Sequence, residues 1–382
     1  MRRNNATFIL VVFIIIAILL SGFGIYASEA GGEISARAGA LFDPVNERFL
    51  YTKNINERLY MASTTKIATA LVAIENLPLD KIVKIPKEAV GTEGSSAYFK
   101  EGEEISVEGL LFALLLRSAN DAAVALAIEV AGSTEDFALL MNGRALDIGL
   151  TDTNFKNPHG LHDEEHYTTA HDLAILSAEA MKNDTFCNII KEKKKTVTTN
   201  LTTHIFVNHN KLLSRFEGAI GVKTGYTKNA GRCLVGAAKR DGVTLISVTL
   251  DAPSDWSDHE KMLEYGFSLL ENRVLLSKKD FNYTLPVLGA ENGATVTVSP
   301  AYAVSAQLLK TEEAPSAEVR LSRYLAAPLQ EGDEVGEVVF KSGEKIIASV
   351  PLTVKESVAK KEKKSFFEGL KDIFTKSNQR KD

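Results

Sequence analysis

Strand-forming sequence lies at both ends of a long central stretch whose interior reads as helix, and this arrangement restricts the fold more than any other feature. Residues 36–42 and 48–51 read as a hairpin with Asp43-Pro44-Val45-Asn46 as its turn. Far downstream, residues 217–225 and 232–250 return to strand character, and Val243-Thr244-Leu245-Ile246-Ser247-Val248-Thr249-Leu250 is the strongest β run in the chain. Between them, Ser106-Val107-Glu108-Gly109 opens an apolar helix through Leu116. Helices from Asp121 to Ala131 and from Glu135 to Ile148 follow, separated by Gly132-Ser133. Distant segments must therefore build one sheet around a helical insertion. The expected class is α+β: an antiparallel sheet with helices on its faces and a helical subdomain.

From about residue 280 the texture changes to short β-rich pieces (282–287, 295–298, 318–321, 337–340 and 345–350) broken by turns such as Gly332-Asp333 and Ser342-Gly343. A small β-sandwich-like domain is expected over 276–355, free of clustered catalytic residue types and read as a spacer or docking module. The 382 residues leave room for it beside a larger domain over 31–275.

Both ends suggest a place of work. Arg2 and Arg3 precede an uncharged apolar run from Phe8 to Leu20, with small residues at Ala27, Ser28 and Ala30. That is the layout of a signal peptide over 1–30, or of an uncleaved anchor, and either implies export. In the tail over 356–382, Lys360, Lys361, Lys363 and Lys364 lead into Phe366, Phe367, Leu370, Ile373 and Phe374. Such a basic amphipathic segment is expected to lie on an anionic membrane surface rather than cross it; packing on its own protein is the alternative. A formal net charge of −5 argues against nucleic acid as a partner. Cys187 and Cys233 are too far apart for a metal-ligand pair of the C-x-x-C kind; spacing leaves open whether they pair or stay free.

Chemistry concentrates in three places. Met61-Ala62-Ser63-Thr64-Thr65-Lys66 opens a helix whose Ile67, Ala70, Leu71 and Ile74 recur at helical spacing. Ser63 and Lys66 then share one face at the positive end of the helix dipole, the layout of a serine activated by a neighbouring amine. The same pattern also fits an ordinary helix start, and it recurs at Ser342–Lys345 and Ser357–Lys360 without an apolar helix behind it. Arg117-Ser118-Ala119-Asn120-Asp121 puts a hydroxyl and an amide two residues apart in a helix-joining loop; capping of the next helix is the plain alternative. Gly221-Val222-Lys223-Thr224-Gly225-Tyr226 reads as a strand whose glycines admit a substrate backbone and whose Lys-Thr pair suits a carboxylate.

Ser-x-x-Lys, Ser-x-Asn and Lys-Thr-Gly in this order match the triplet of penicillin-binding proteins and serine β-lactamases. The chain resembles the serine-type D-alanyl-D-alanine carboxypeptidases of the S11 type, the low-molecular-mass penicillin-binding proteins. The likeness runs from about Ala36 to the tail and includes Met141-Asn142, Phe155-Lys156-Asn157-Pro158-His159-Gly160-Leu161, Tyr167–Ala174, Asn208–Leu213, and Ala327-Pro328 with Gly332 and Gly336.

The resemblance implies a penicillin-binding/serine β-lactamase-like domain acting on peptidoglycan stem peptides that end in D-Ala-D-Ala, inhibited by β-lactams, with no cofactor and no metal. It implies Ser63 as acyl-ester nucleophile, Lys66 as general base and Ser118 as proton relay. Asn120, Lys223, Thr224, Gly225 and Tyr226 would bind substrate, with the N–H groups of Ser63 and Tyr226 as oxyanion hole. One departure stands out. Many members carry an Arg soon after the strand ending near residue 250, whereas Asp251–His259 contains none, leaving Lys223 and Thr224, with Trp256 or His259 nearby at most. Three other readings compete: a serine β-lactamase, an inactive wall-binding protein, and a zinc peptidase suggested by His162-Asp163-Glu164-Glu165-His166. The last has Asp163 where that motif needs a Glu base.

Overall fold

The structure, a computed structural model, describes residues 33–362; the leader and most of the tail lie outside them. The described chain forms two compact units, one through Leu270 and one from Glu271. The division falls a few residues before the 275/276 boundary read from the sequence.

In the first unit β1 (Ala38–Asp43) and β2 (Arg48–Lys53) pair as the expected hairpin, and the Asp43 carboxylate ties its turn by accepting N–H bonds from Val45 and Asn46. Helix α1 (Lys66–Asn76) follows, then β3 (Ile82–Lys84), β4 (Glu104–Ser106) and α2 (Val107–Phe112). The helices α3 (Asn120–Ala131), α4 (Thr134–Asp147), α5 (Ala170–Ala180) and α6 (Asp184–Ile190) complete the insertion. The hairpin β5 (Lys194–Thr198) and β6 (Thr203–Val207) leads through α7 (Leu212–Arg215) into β7 (Ala219–Thr227), β8 (Gly231–Arg240), β9 (Val243–Leu250) and α8 (Asp255–Leu269).

Five of these strands make an antiparallel sheet in the order β2-β1-β9-β8-β7, so the ends of the unit meet in the centre and β7 is left as an edge. Ala38, Ala40 and Phe42 point with Ile246 and Val248 into the main core, which also holds α1 to α6. Leu41 and Leu245 point to the other face, where a Cβ on Gly266 of α8 would touch both. Helices on both faces explain why all of β9 except Thr244 is buried, Ser247 and Thr249 included.

In the second unit, Ser316–Leu321, Glu334–Ser342, Lys345–Val354, Thr295–Pro300, Tyr283–Leu288 and Leu325–Ala326 form a six-stranded sheet in that spatial order. The all-β expectation holds, and Ser342–Lys345 is the hairpin turn that its sequence suggests. Val296, Val298, Val338, Val350 and Leu352 are among the buried residues of this unit's own core.

Candidate active site

Ser63 lies in a 3-10 turn, Ala62–Thr65, and Lys66 opens α1 directly behind it. The turn is fixed from within by Thr64 Oγ1 donating to Met61 O at 2.6 Å and by Thr65 Oγ1 donating to Ala62 O at 2.8 Å. Ile67, Ala70 and Leu71 bury the face that their spacing predicts. Lys66 is buried with them. Its Nζ reaches Ser63 Oγ at 3.0 Å, Asn120 Oδ1 at 2.6 Å and the His159 carbonyl at 2.6 Å. Burial pushes the amine well below its ordinary pKa, and the charge of Lys223 pushes the same way.

Ser118 and Asn120 arrive through an irregular turn. The sequence suggests one helix through Leu116, but α2 passes at Ala113–Arg117 into a π-helical turn that ends at Ser118 with φ 63° and ψ 32°. A left-handed serine costs on the order of 1–3 kcal/mol, and π turns and such strain gather at functional sites. The Ser118 side chain lines the cavity that Ser63 faces. Asn120 is buried, and its Nδ2 donates to Glu93 O at 2.5 Å while Oδ1 receives Lys66, so both ends have protein partners. Its first service is thus to hold the lysine.

The third motif lies on edge strand β7. Lys223 is buried and donates to Thr224 O at 2.9 Å, and burial brings its pKa down to about 7. Thr224, Gly225 and exposed Tyr226 line the cavity. Gly225 also packs closely on the protein itself: a Cβ there would stand 3.0 Å from Ser63 N and 3.1 Å from Met61 O. The edge strand can therefore press against the turn that carries Ser63.

The cavity, of about 510 Å³, brings Ser63, Ser118, Thr224, Gly225 and Tyr226 together. It is also lined by Ser95, Asn208, His209, Lys211, Arg232, Asp255 and Trp256, and of these the sequence points only to Trp256 as a neighbour of the site. Asp121, the residue after Asn120, fastens the segment that follows Ser95: its carboxylate accepts from Ser96 Oγ at 2.6 Å and from the Ala97 N–H at 3.0 Å. His259 is not at the site. It is buried beneath the sheet between Ser247 Oγ (2.7 Å) and Thr249 Oγ1 (2.9 Å). His166 bonds Thr65 Oγ1 at 2.8 Å, and His162 meets the Tyr60 ring edge-on. Among the described residues no group of three or more His, Cys, Asp or Glu is arranged to hold a metal ion. Both cysteines are free, and burial pushes the Cys233 thiol up to about 12, which makes it a poor nucleophile.

Comparison with known proteins agrees with this geometry. Residues 25–254 match the D-alanyl-D-alanine carboxypeptidase family, and residues 272–360 match the C-terminal domain of penicillin-binding protein 5. D-alanyl-D-alanine carboxypeptidase DacF of Bacillus subtilis is 32% identical over 338 residues, spanning 85% of this chain and 86% of its own. DacC of Escherichia coli is 35% identical over 349 residues, with 85% and 84% covered. Among solved structures, the D-alanyl-D-alanine carboxypeptidase DacD from Francisella tularensis superposes with a TM-score of 0.63 at 30% identity, over 90% of this chain and 98% of that one. With the family match running through most of the first unit and relatives covered over most of their length, the chain belongs to the D-alanyl-D-alanine carboxypeptidase family of serine peptidases, the low-molecular-mass penicillin-binding proteins.

Proposed function

We propose that Ser63 is acylated and Lys66 is its base in the removal of the terminal D-alanine from peptidoglycan stem peptides. One observation carries the assignment: of the three Lys66 bonds, the two of 2.6 Å run to carbonyl oxygens and the one of 3.0 Å runs to a hydroxyl. Carbonyl oxygens only accept, so a neutral amine spends its two N–H groups on Asn120 and His159. Its lone pair is then left for the Ser63 O–H.

In the first step the Ser63 Oγ–carbon bond forms at the carbonyl of the penultimate D-alanine, and the hydroxyl proton passes to Lys66. The N–H groups of Ser63 and Tyr226 stabilise the oxyanion. The C–N bond then breaks as the proton held by Lys66 is relayed through Ser118 to the leaving nitrogen, which returns Lys66 to the free amine and Ser118 to the hydroxyl. Water hydrolyses the ester and restores Ser63. Asn120 holds Lys66 and borders the substrate amide, Gly225 lets β7 approach, and Thr224 with the field of Lys223 receives the terminal carboxylate. β-Lactams acylate the same serine, and the scheme needs no cofactor.

The proposal extends to the chain's setting. Residues 1–30 direct export to the cell-wall space, 31–275 carry the catalysis, and 276–355 form the small β domain. Residues 356–382 bind the outer face of the membrane; their Lys360–Lys364 run and apolar Phe366, Phe367, Leu370, Ile373 and Phe374 support this. Among the described residues no helix is long and apolar enough to cross a membrane. Removing 360–382 is expected to leave an active enzyme that no longer sediments with vesicles of anionic lipid; unchanged sedimentation refutes the anchor. For the site, Ser63→Ala is expected to abolish D-alanine release and covalent penicillin labelling, read by mass spectrometry of the peptide containing residue 63. A retained adduct in that variant overturns the nucleophile assignment.

A further inference from the structure

A substrate that ends in a carboxylate brings a permanent negative charge into the cavity, and something there must meet it. Lys66 is buried and bonded to Ser63, Asn120 and His159. Lys223 is buried behind β7 and bonded to Thr224 O, and with a pKa near about 7 it carries only part of its charge at neutrality. Two further cations line the cavity, Lys211 in the loop before α7 and Arg232 at the start of β8.

The strand register separates them. Across the β7–β8 ladder Tyr226 pairs with Arg232 and Thr224 with Leu234. Residues directly opposite share a face, and diagonal neighbours lie about 7–8 Å apart, within reach of a long side chain. Arg232 therefore stands on the same face as the Thr224 side chain. Gly225 and Cys233 occupy the other face, against the turn that carries Ser63.

The Arg232 side chain is 54% exposed and comes to 3.8 Å from Asp255 Oδ2, beyond hydrogen-bond distance. Asp255 Oδ1 in turn accepts the Trp256 N–H at 3.0 Å. The acid thus attracts the guanidinium to the cavity rim without consuming its donors. A guanidinium keeps its charge at any working pH and offers two parallel N–H bonds to a carboxylate, which an ammonium does not.

We propose that Arg232, together with the Thr224 hydroxyl, grips the terminal carboxylate of the substrate and selects for chains that end in a free acid. Trp256 lines the cavity within the Asp251–His259 segment that lacks an arginine, and Arg232 reaches the same place from the neighbouring strand. This inference rests on the substrate class proposed above.

The test uses the full chain with a peptide ending in D-Ala-D-Ala as the free acid and as its carboxamide, and with benzylpenicillin and its methyl ester as acylating agents. Arg232→Ala is expected to lower kcat/KM for the acid about 10–100-fold, mainly through KM, and to leave the carboxamide nearly unchanged. Penicillin acylation is expected to fall likewise while that of the ester does not, and Arg232→Lys to recover part of the loss. An equal loss on acid and carboxamide, or no loss on the acid, overturns the proposal. So does collapse of the acid preference in Lys211→Ala with Arg232 intact. If the wild-type protein neither releases D-alanine nor gains an adduct on Ser63, the serine reading has failed instead.

Discussion

Two opposing pulls act on the Lys66 amine. Three acceptors around one nitrogen favour the ammonium ion, whereas full burial and the Lys223 charge favour the free amine, and the second pair dominates. The balance can be moved by one neighbour in either direction. Asn120→Ala removes a 2.6 Å acceptor, so kcat/KM for acylation is expected to drop about 10–100-fold while its acid limb shifts to lower pH. Asn120→Asp sets a carboxylate against the amine and raises its pKa by about 1–3 units, which moves the same limb to higher pH. A pH profile of penicillin acylation reads both. Limbs that stay put in both variants would mean that another group than Lys66 governs the rate. Lys223, whose pKa burial brings down to about 7, is charged below that value and loses its charge as pH rises through it, so KM for a free-acid peptide is expected to climb there while that for the carboxamide stays level.

Among the elements, the loop at residues 157–161 depends on a residue with no side chain. Gly160 has φ +85°, and a Cβ there would fall 1.9 Å from Ala62 O. That contact seats the loop on the Ser63 turn and brings the His159 carbonyl to Lys66. Thr69 Oγ1 donates to Pro158 O at 2.5 Å and pins the same loop to α1. Gly160→Ala meets a backbone conformation that costs roughly 1–2 kcal/mol for an L side chain, before the clash with Ala62 is counted. It is expected to lower the melting temperature and also to slow acylation in whatever folds, since the loop must lift from Lys66. Loss of stability with an unchanged acylation rate would separate the loop from the chemistry. What the sequence reveals at this scale is chemistry written in side chains at short spacing: Ser63 with Lys66, Ser118 with Asn120, and Lys223-Thr224-Gly225. The His159 carbonyl leaves no side-chain signature. The π turn before Ser118 looks like continuous helix because Ala113-Leu114-Leu115-Leu116 suits either form. Arg232 joins the cavity only through the register of β7 with β8, which no local pattern reports. The close packing of Gly225 on the turn of Ser63 is likewise invisible to a local pattern, since the two lie far apart in sequence.

For the whole molecule, the histidines are divided unevenly between the two units. All seven histidines precede Leu270, so the second unit has none. Burial holds three imidazoles neutral: His159 and His259 are lowered to about 3 and His166 to about 4. Above the unfolded value near 6.5 these groups are neutral in both states, and their contribution is fully favourable to the fold. As pH falls below 6.5 the unfolded chain takes up protons first, so stability declines until the folded values are reached, by up to about 1.4 kcal/mol per pH unit for each imidazole. Glu103, lowered by its bonds to His204, Lys100 N–H and Thr199 despite burial, adds to the loss at the acid end, while Asp255, raised by burial, opposes it there. Calorimetry from pH 7 to 4 is therefore expected to move the melting of the first unit steeply downward while the second holds nearly constant. Ser63, Lys66, Ser118, Asn120 and Lys223 with the partners named above all lie in the first unit. Penicillin labelling measured after heating between the two transitions is expected to vanish with the acid-sensitive one, and labelling that survived its melting would place the acylation site elsewhere.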